Sequence, residues 1–402
     1  MSELTTPTVL CFASYQKGEE LLRELKRCGC TVLLLTLEEL ADGPWPMESI
    51  DDRFLMPSLD LGPDVIHAVS YLARSHQIDL ILPLDDFDVE TVAAVREHLR
   101  ISGMGETTAR YFRDKLAMRV KARDERILVP EFVHVLNYDA LAAWMARVPP
   151  PWVLKPRSEA SAVGIKRIHH ADELWPALEM MGDRQSYYVL EKYVPGRVYH
   201  VDAIVWEREI LFAECHVYAA PPLDVMQEGG IFSTITVARG SEDERTLRRL
   251  NRELLQALGL VHGVTHTEFI KHDQSGDFYF LETASRVGGA NIDIMVEAAT
   301  GVNLWREWAR LEVAALRDEP YQLPDSRTDY AATVISLARQ TWPETSAYDW
   351  PEIVWRLHKE HHAGLILADP SHERVQTLVY QTIQRFAHDF MTSLPAPDKP
   401  TS

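Results

Sequence analysis

The stretch 263–291, GVTHTEFIKHDQSGDFYFLETASRVGGAN, carries two carboxylates, a cation and a glycine pair at spacings that could do chemistry. Two apolar-rich runs flank HDQSGD, and a glycine in so short a polar loop signals a hairpin. Folded symmetrically about Ser275, the hairpin sets Lys271 opposite Tyr279 and Glu268 opposite Glu282. Side chains directly opposed in an antiparallel pair lie about 5 Å apart, so the two acids repel unless something positive lies between them. A hard dication with oxygen ligands, Mg2+ or Mn2+, suits that place. Just beyond stand Arg286 and Gly288-Gly289, a cation and a flexible backbone suited to gripping an anion. On this stretch alone, an exposed hairpin with solvated acids is the competing reading.

The chain around it has 402 residues, which points to two or three domains. With 46% hydrophobic and 25% charged residues, it is composed like an ordinary globular protein. A net charge of −19 repels polyanions and argues against a nucleic-acid role, so any phosphate must be held by locally placed cations and backbone N–H groups. The first residues, MSELTTPTVLCFAS, lack the basic start and apolar core of a signal peptide, and no run approaches a membrane span. A cytoplasmic enzyme without a membrane role is therefore expected. Cys11, Cys28, Cys30 and Cys215 match neither a disulfide framework nor a zinc pattern.

Elements must position the chemistry. Apolar runs at 8–13, 31–36 and 78–84 alternate with helical patterns at 17–28, 65–73 and 89–99, which predicts an α/β unit with a parallel, doubly covered sheet. It lacks a GxGxxG turn, so no dinucleotide site is read there. A helix is expected over 103–123. Strands then follow at 131–135, 152–155, 165–168, 187–194, 198–206 and 209–215, with helices at 138–146, 171–181 and 242–258. Lys155 ends a strand and runs into PRSEASAVG, a small-residue loop able to lie over phosphates, although a plain hairpin loop is the blander reading. Residues 218–231 read as an extended loop, mobile or substrate-facing. His266 shares a strand face with Glu268, which leaves a His–carboxylate transition-metal site as a minor alternative. Helices at 292–299 and 305–316, strands at 329–338 and 363–367, and a helix at 373–390 complete the chain before a disordered Pro-rich tail.

Taken in order, these features resemble the ATP-grasp superfamily, in its biotin carboxylase-like branch with the L-amino-acid ligases. The resemblance runs from about Gly103 to Glu312. It implies a Rossmann-like domain over 1–103, an ATP-grasp region over 104–312 with a mobile lid at about 130–193, and a small C-terminal α/β piece over 313–402. By resemblance, Lys115 in its D-K pair and Lys155 bind ATP phosphates, with Ser158, Ser161 and Gly164 in the flap. Glu191-Lys192-Tyr193-Val194 looks like the adenine hinge, with Glu191, Lys192 and Val194 as contacts, and His200 and Asp202 align with an H-V-E run near the nucleotide. Glu268 and Glu282 match the Mg2+ carboxylates, and Arg286 matches the catalytic arginine.

Two departures matter. The flap is rich in Ser and Ala instead of Gly, and the common E-x-N-x-R is here Glu282-Thr283-Ala284-Ser285-Arg286, which removes one metal ligand. The amino-acid ligases often continue R-x-G-G, as Arg286-Val287-Gly288-Gly289 does. The resemblance thus implies an ATP- and Mg2+-dependent, ADP-forming carboxylate–amine ligase working through an acylphosphate. Arg286 and Lys155 are its catalytic cations, and Arg286, Gly288 and Gly289 hold the substrate. Small carboxylates and amines are the expected partners, and a homodimer is one assembly the family allows. A bicarbonate-activating enzyme and a nucleotide-binding scaffold without turnover are the alternatives.

Overall fold

The computed structural model describes residues 6–160 and 163–392. Ser161 of the expected flap and the tail beyond 392 lie outside the described residues.

The chain begins with β1 (Thr8–Ala13), α1 (Glu19–Arg27), β2 (Thr31–Leu37), β3 (Asp52–Met56), α2 (Pro63–Leu72), β4 (Leu80–Pro83) and α3 (Asp88–Leu99). Its strands form a parallel sheet in the order β3-β2-β1-β4. Burial on both faces explains the unbroken apolar strands. Val9, Cys11 and Ala13 pack with Leu21, Leu22 and Leu25, while Leu10 and Phe12 pack with Val65, Val69 and Val92. The edge strand β3, DRFLM, escaped the sequence pattern because it is only partly buried and opens on two charged residues. Strand order reverses between β1 and β4, the place where open α/β sheets leave a crevice at the carboxyl ends of their strands. Tyr15 and Lys17 follow β1 there, and Asp85 and Asp86 follow β4.

The helix expected over 103–123 is two helices, α4 (Glu106–Arg110) and α5 (Lys115–Asp124). Asp114 divides them. Its backbone is extended, and its carboxylate caps α5 by accepting from the backbone N–H groups of Leu116 and Ala117 at 2.9 and 3.3 Å. Next come β5 (Phe132–His134), α6 (Tyr138–Arg147), β6 (Trp152–Pro156), β7 (Lys166–Ile168), α7 (Ala171–Met181) and β8 (Tyr188–Lys192). They make an antiparallel sheet, β5-β8-β6-β7, with its own core of Leu141, Trp144, Leu174 and Leu190.

The remainder is β9 (Gly196–Trp206), β10 (Glu209–Tyr218), α8 (Pro222–Glu228), β11 (Phe232–Thr236), α9 (Glu242–Leu258), β12 (Gly263–His272), β13 (Phe278–Ala284), α10 (Ile292–Thr300), α11 (Leu304–Leu316), β14 (Tyr330–Leu337), β15 (Ile353–Arg356), β16 (His362–Asp369) and α12 (His372–Asp389). Its strands form one antiparallel sheet in the order β13-β12-β9-β10-β11-β14-β16-β15. The C-terminal strands therefore extend the same sheet beyond β11. The connection 218–231, expected to be an extended loop, contains α8, which Pro222 starts at a position where its missing N–H costs nothing. Glu268 does face Glu282, but a bulge at Leu281 moves Lys271 opposite Phe278 instead of Tyr279. On β9, Tyr199, Val201 and Ala203 face a core with Leu254 and Leu378, whereas Ile204 faces another with Met295 and Trp308.

Gly196 opens β9 opposite His272, where a Cβ would lie 2.0 Å from the Lys271 carbonyl oxygen. Gly196→Ala is predicted to lower the unfolding free energy by about 1–3 kcal/mol. Urea denaturation checks this, and an unchanged midpoint would refute the close approach.

Candidate active site

The crevice at the end of the parallel sheet opens onto the hairpin and the four-stranded unit, giving a cleft of about 710 Å³. Lys17, Asp86, Lys115, Lys155, Glu268, Glu282 and Arg286 all line it, brought there from three parts of the chain.

Lys115 begins α5, fixed by the Asp114 cap, and Arg157 donates to the same carboxylate from beyond β6, its Nε at 3.0 Å. The Lys115 ammonium lies 2.8 Å from Glu282 and donates to the Glu159 carbonyl at 2.6 Å. Lys155, near the end of β6, lies 2.6 Å from Glu191 on β8. Arg119, one helical turn after Lys115 and fully buried, approaches the other oxygen of Glu191 at 2.9 Å. Burial pulls the Lys155 ammonium below the usual lysine range against the attraction of Glu191. Burial alone would raise the Glu191 carboxyl, but Arg119 and Lys155 hold it below its usual range.

Glu268 and Glu282 are opposed across β12 and β13, and both face the cleft. Tyr218 donates its hydroxyl to Glu268 at 2.8 Å. Two carboxylates on one face form an oxygen donor set that fits a hard dication, while Ala284 offers no third oxygen. Past the hairpin, Arg286 donates its Nε to Asp86 at 2.8 Å and so reaches back to the parallel sheet. Asp86 is buried, which would raise it, but Arg286 and Arg113 hold it below the usual carboxylate range. Lys17 lies 2.5 Å from the neighbouring Asp85.

Of the other residues singled out in the sequence, Lys192, Val194 and Gly289 line the cleft. The Lys192 ammonium turns away to the Pro149 carbonyl at 2.6 Å, leaving its stem and backbone at the wall. Ser158 and Gly164 do not line the cleft, although their neighbours Glu159, Val163 and Ile165 do. His200 and Asp202 do not line the cleft. Both are fully buried and absent from the cleft wall, because the Tyr218 ring lies 4.8 Å from that of His200 and closes the strand face beyond Val198. Gly288 lies on the same buried group, where a Cβ would meet His266 Nδ1 at 2.9 Å.

Sequence reasoning missed Arg119, Tyr218, Asp86 and His216. Arg119 had a signal, its i,i+4 spacing from Lys115, which puts both on one helix face. For Asp86 and Tyr218 the partners Arg286 and Glu268 are 200 and 50 residues away in the chain, a separation no local pattern reports.

A parallel α/β unit, a small antiparallel unit and a large antiparallel sheet meeting at a cleft of lysines and opposed carboxylates give this chain the fold of the ATP-grasp ligases. No protein-family model matches the chain. It is 26% identical over 284 residues to the L-arginine-specific L-amino acid ligase of Bacillus subtilis, a match spanning 69% of this chain and only 65% of that protein. It is also 26% identical over 232 residues to a D-alanine–D-alanine ligase of Paraburkholderia phymatum, covering 54% of this chain and 71% of that one. Among solved structures, the L-amino acid ligase from Bacillus licheniformis superposes with a TM-score of 0.75 over 96% of this chain and 98% of that one, at 16% identity. Among the described residues, no helix is long and apolar enough to cross a membrane.

Removing Glu191 leaves Lys155 and Arg119 buried without their carboxylate. Glu191→Ala is predicted to destabilise the fold by about 3–5 kcal/mol, the usual cost of breaking one side of a buried ion pair. Equilibrium unfolding checks it, and a loss below 1 kcal/mol (roughly the range of exposed pairs) would count against the buried cluster.

Proposed function

We propose that this chain is an ATP-dependent, ADP-forming carboxylate–amine ligase that works through an acylphosphate and joins an amino acid or small carboxylic acid to an amine. One observation carries the reading: Glu268 and Glu282 stand opposed at the cleft wall beside Lys115 and Lys155, with Arg286 just beyond. The likeness to two amino-acid ligases supports amino acids as substrates.

In this reading the unit 130–193 is the lid, and the backbone of Glu191–Val194, with Met118, Val153 and Leu281, forms the adenine wall. Lys115 and Lys155 exchange their carboxylate partners for phosphate oxygens. Glu268 and Glu282 would hold Mg2+ or Mn2+, which would supply charge neutralisation for phosphoryl transfer, the main requirement of such chemistry. Arg286 and the N–H groups around Gly288 and Gly289 hold the substrate carboxylate in line for attack on the γ-phosphorus, and then stabilise the oxyanion that develops when the amine adds to the acyl carbon and phosphate leaves. The lid excludes water so that an amine, not hydroxide, displaces phosphate from the acyl carbon.

The test is ADP release with pooled amino acids. Release should require both a carboxylate and an amine, and should vanish on adding EDTA. Glu282→Ala should abolish it while the circular dichroism spectrum is unchanged. AMP and pyrophosphate as products, or turnover retained in Glu282→Ala, would overturn the assignment. Stimulation by bicarbonate alone would replace it with a carboxylase, and nucleotide binding without release under any acceptor would replace it with a scaffold.

A further inference from the structure

A cluster that reaches the cleft wall at His266 and is otherwise buried behind it is not used directly by the reaction above. Asp202 on β9 is fully buried and surrounded by three imidazoles. His200 Nδ1 lies 2.7 Å from one carboxylate oxygen, His266 Nδ1 lies 2.9 Å from the other, and His216 Nδ1 is 3.3 Å from the first. Strand pairing explains the gathering: His266 is opposite Asp202 on β12, and His216 is opposite His200 on β10. The rings of His200 and His216 stack at 4.6 Å.

Two contacts lead from this cluster to the site. His266 turns its other nitrogen, Nε2, towards Glu268 Oε1 at 3.6 Å. Gly288 sits so close that a Cβ would meet Asp202 Oδ1 at 3.0 Å, so the turn from Arg286 to Gly289 rests on the same carboxylate. Resting on the function proposed above, we infer that Asp202 is a positioning residue: through His266 it sets the orientation of Glu268 for the divalent ion, and by direct contact it seats the Arg286–Gly289 turn.

The cluster has the residue types of a transition-metal site. Its distances favour hydrogen bonding. A carboxylate that takes one imidazole on each oxygen at 2.7 and 2.9 Å accepts N–H donors, and each such bond keeps a proton where a metal needs a lone pair. Outer-shell partners of this kind hold a ligand in its binding rotamer, and their loss weakens metal affinity about 10–100-fold.

The test reads metal binding directly. Mn2+ is titrated into the protein with ADP and followed by electron paramagnetic resonance, at a temperature where circular dichroism finds every variant folded. Asp202→Asn should weaken Mn2+ at least tenfold. If that variant does not fold, His266→Asn serves instead: its amide can still reach Asp202 but not Glu268, and the same weakening is expected. Mn2+ affinity equal to wild type in the folded variant would overturn the positioning role while leaving the proposed reaction intact. A wild-type protein that binds no Mn2+ with ADP would instead sink the metal-site reading itself. One equivalent of zinc or another transition metal copurifying with the wild type and lost in Asp202→Asn would overturn the hydrogen-bonded assignment.

Discussion

Like charges opposed across an antiparallel pair push it apart, and Glu268 and Glu282 hold that relation at the inner wall of a cleft. The structure contains the repulsion with groups drawn from separate elements. Lys115 reaches Glu282 from α5, Tyr218 donates to Glu268 from β10, and His266 approaches Glu268 along β12 itself. Each of these is in turn fixed by something deeper. Asp114 caps the helix that carries Lys115, and Asp202 anchors His266. The hairpin is thus stable only as part of the assembled fold.

The cations obey the same rule. Lys155 and Arg119 share Glu191 in a cluster that is nearly dry, so each charge there depends on the others. This cluster joins α5 to the antiparallel unit, and Lys115 joins α5 to the hairpin. A phosphate entering between Lys115 and Lys155 would loosen two ion pairs and form two others. The net electrostatic change is therefore small compared with bringing a lysine from water, which is what preorganisation means in energetic terms.

Much of this was legible in the sequence because it is local. The opposed acids follow from a ten-residue strand and a short turn, and even the bulge at Leu281 moves only the residues on the turn side of it. The parallel sheet was visible because its strands are buried on both faces and read as continuous apolar runs. What was not legible depends on register between distant strands. His200 and Asp202 alternate correctly on β9, but the sequence does not report that β10 and β12 cover that face with Tyr218, His216 and His266. A motif alignment could bring them near the nucleotide, yet not tell the wall from the layer behind it. The break at 111–114 was missed for a related reason: its signal in the sequence is a single capping side chain, Asp114.

Asp86 shows how the first unit becomes part of the site. It follows β4 at the point where the parallel sheet reverses its strand order, the natural crevice of an open α/β sheet. Arg286, 200 residues later, donates into it, which ties the end of the hairpin to that crevice. A substrate carboxylate that takes Arg286 must displace a buried carboxylate, normally a costly exchange because the displaced charge is left unpaired. Here Arg113 also bears on Asp86, and Lys17 on its neighbour Asp85, so the displaced acid keeps positive charge close by. The parallel sheet, though it has no dinucleotide turn, therefore supplies the carboxylate that holds Arg286 in place.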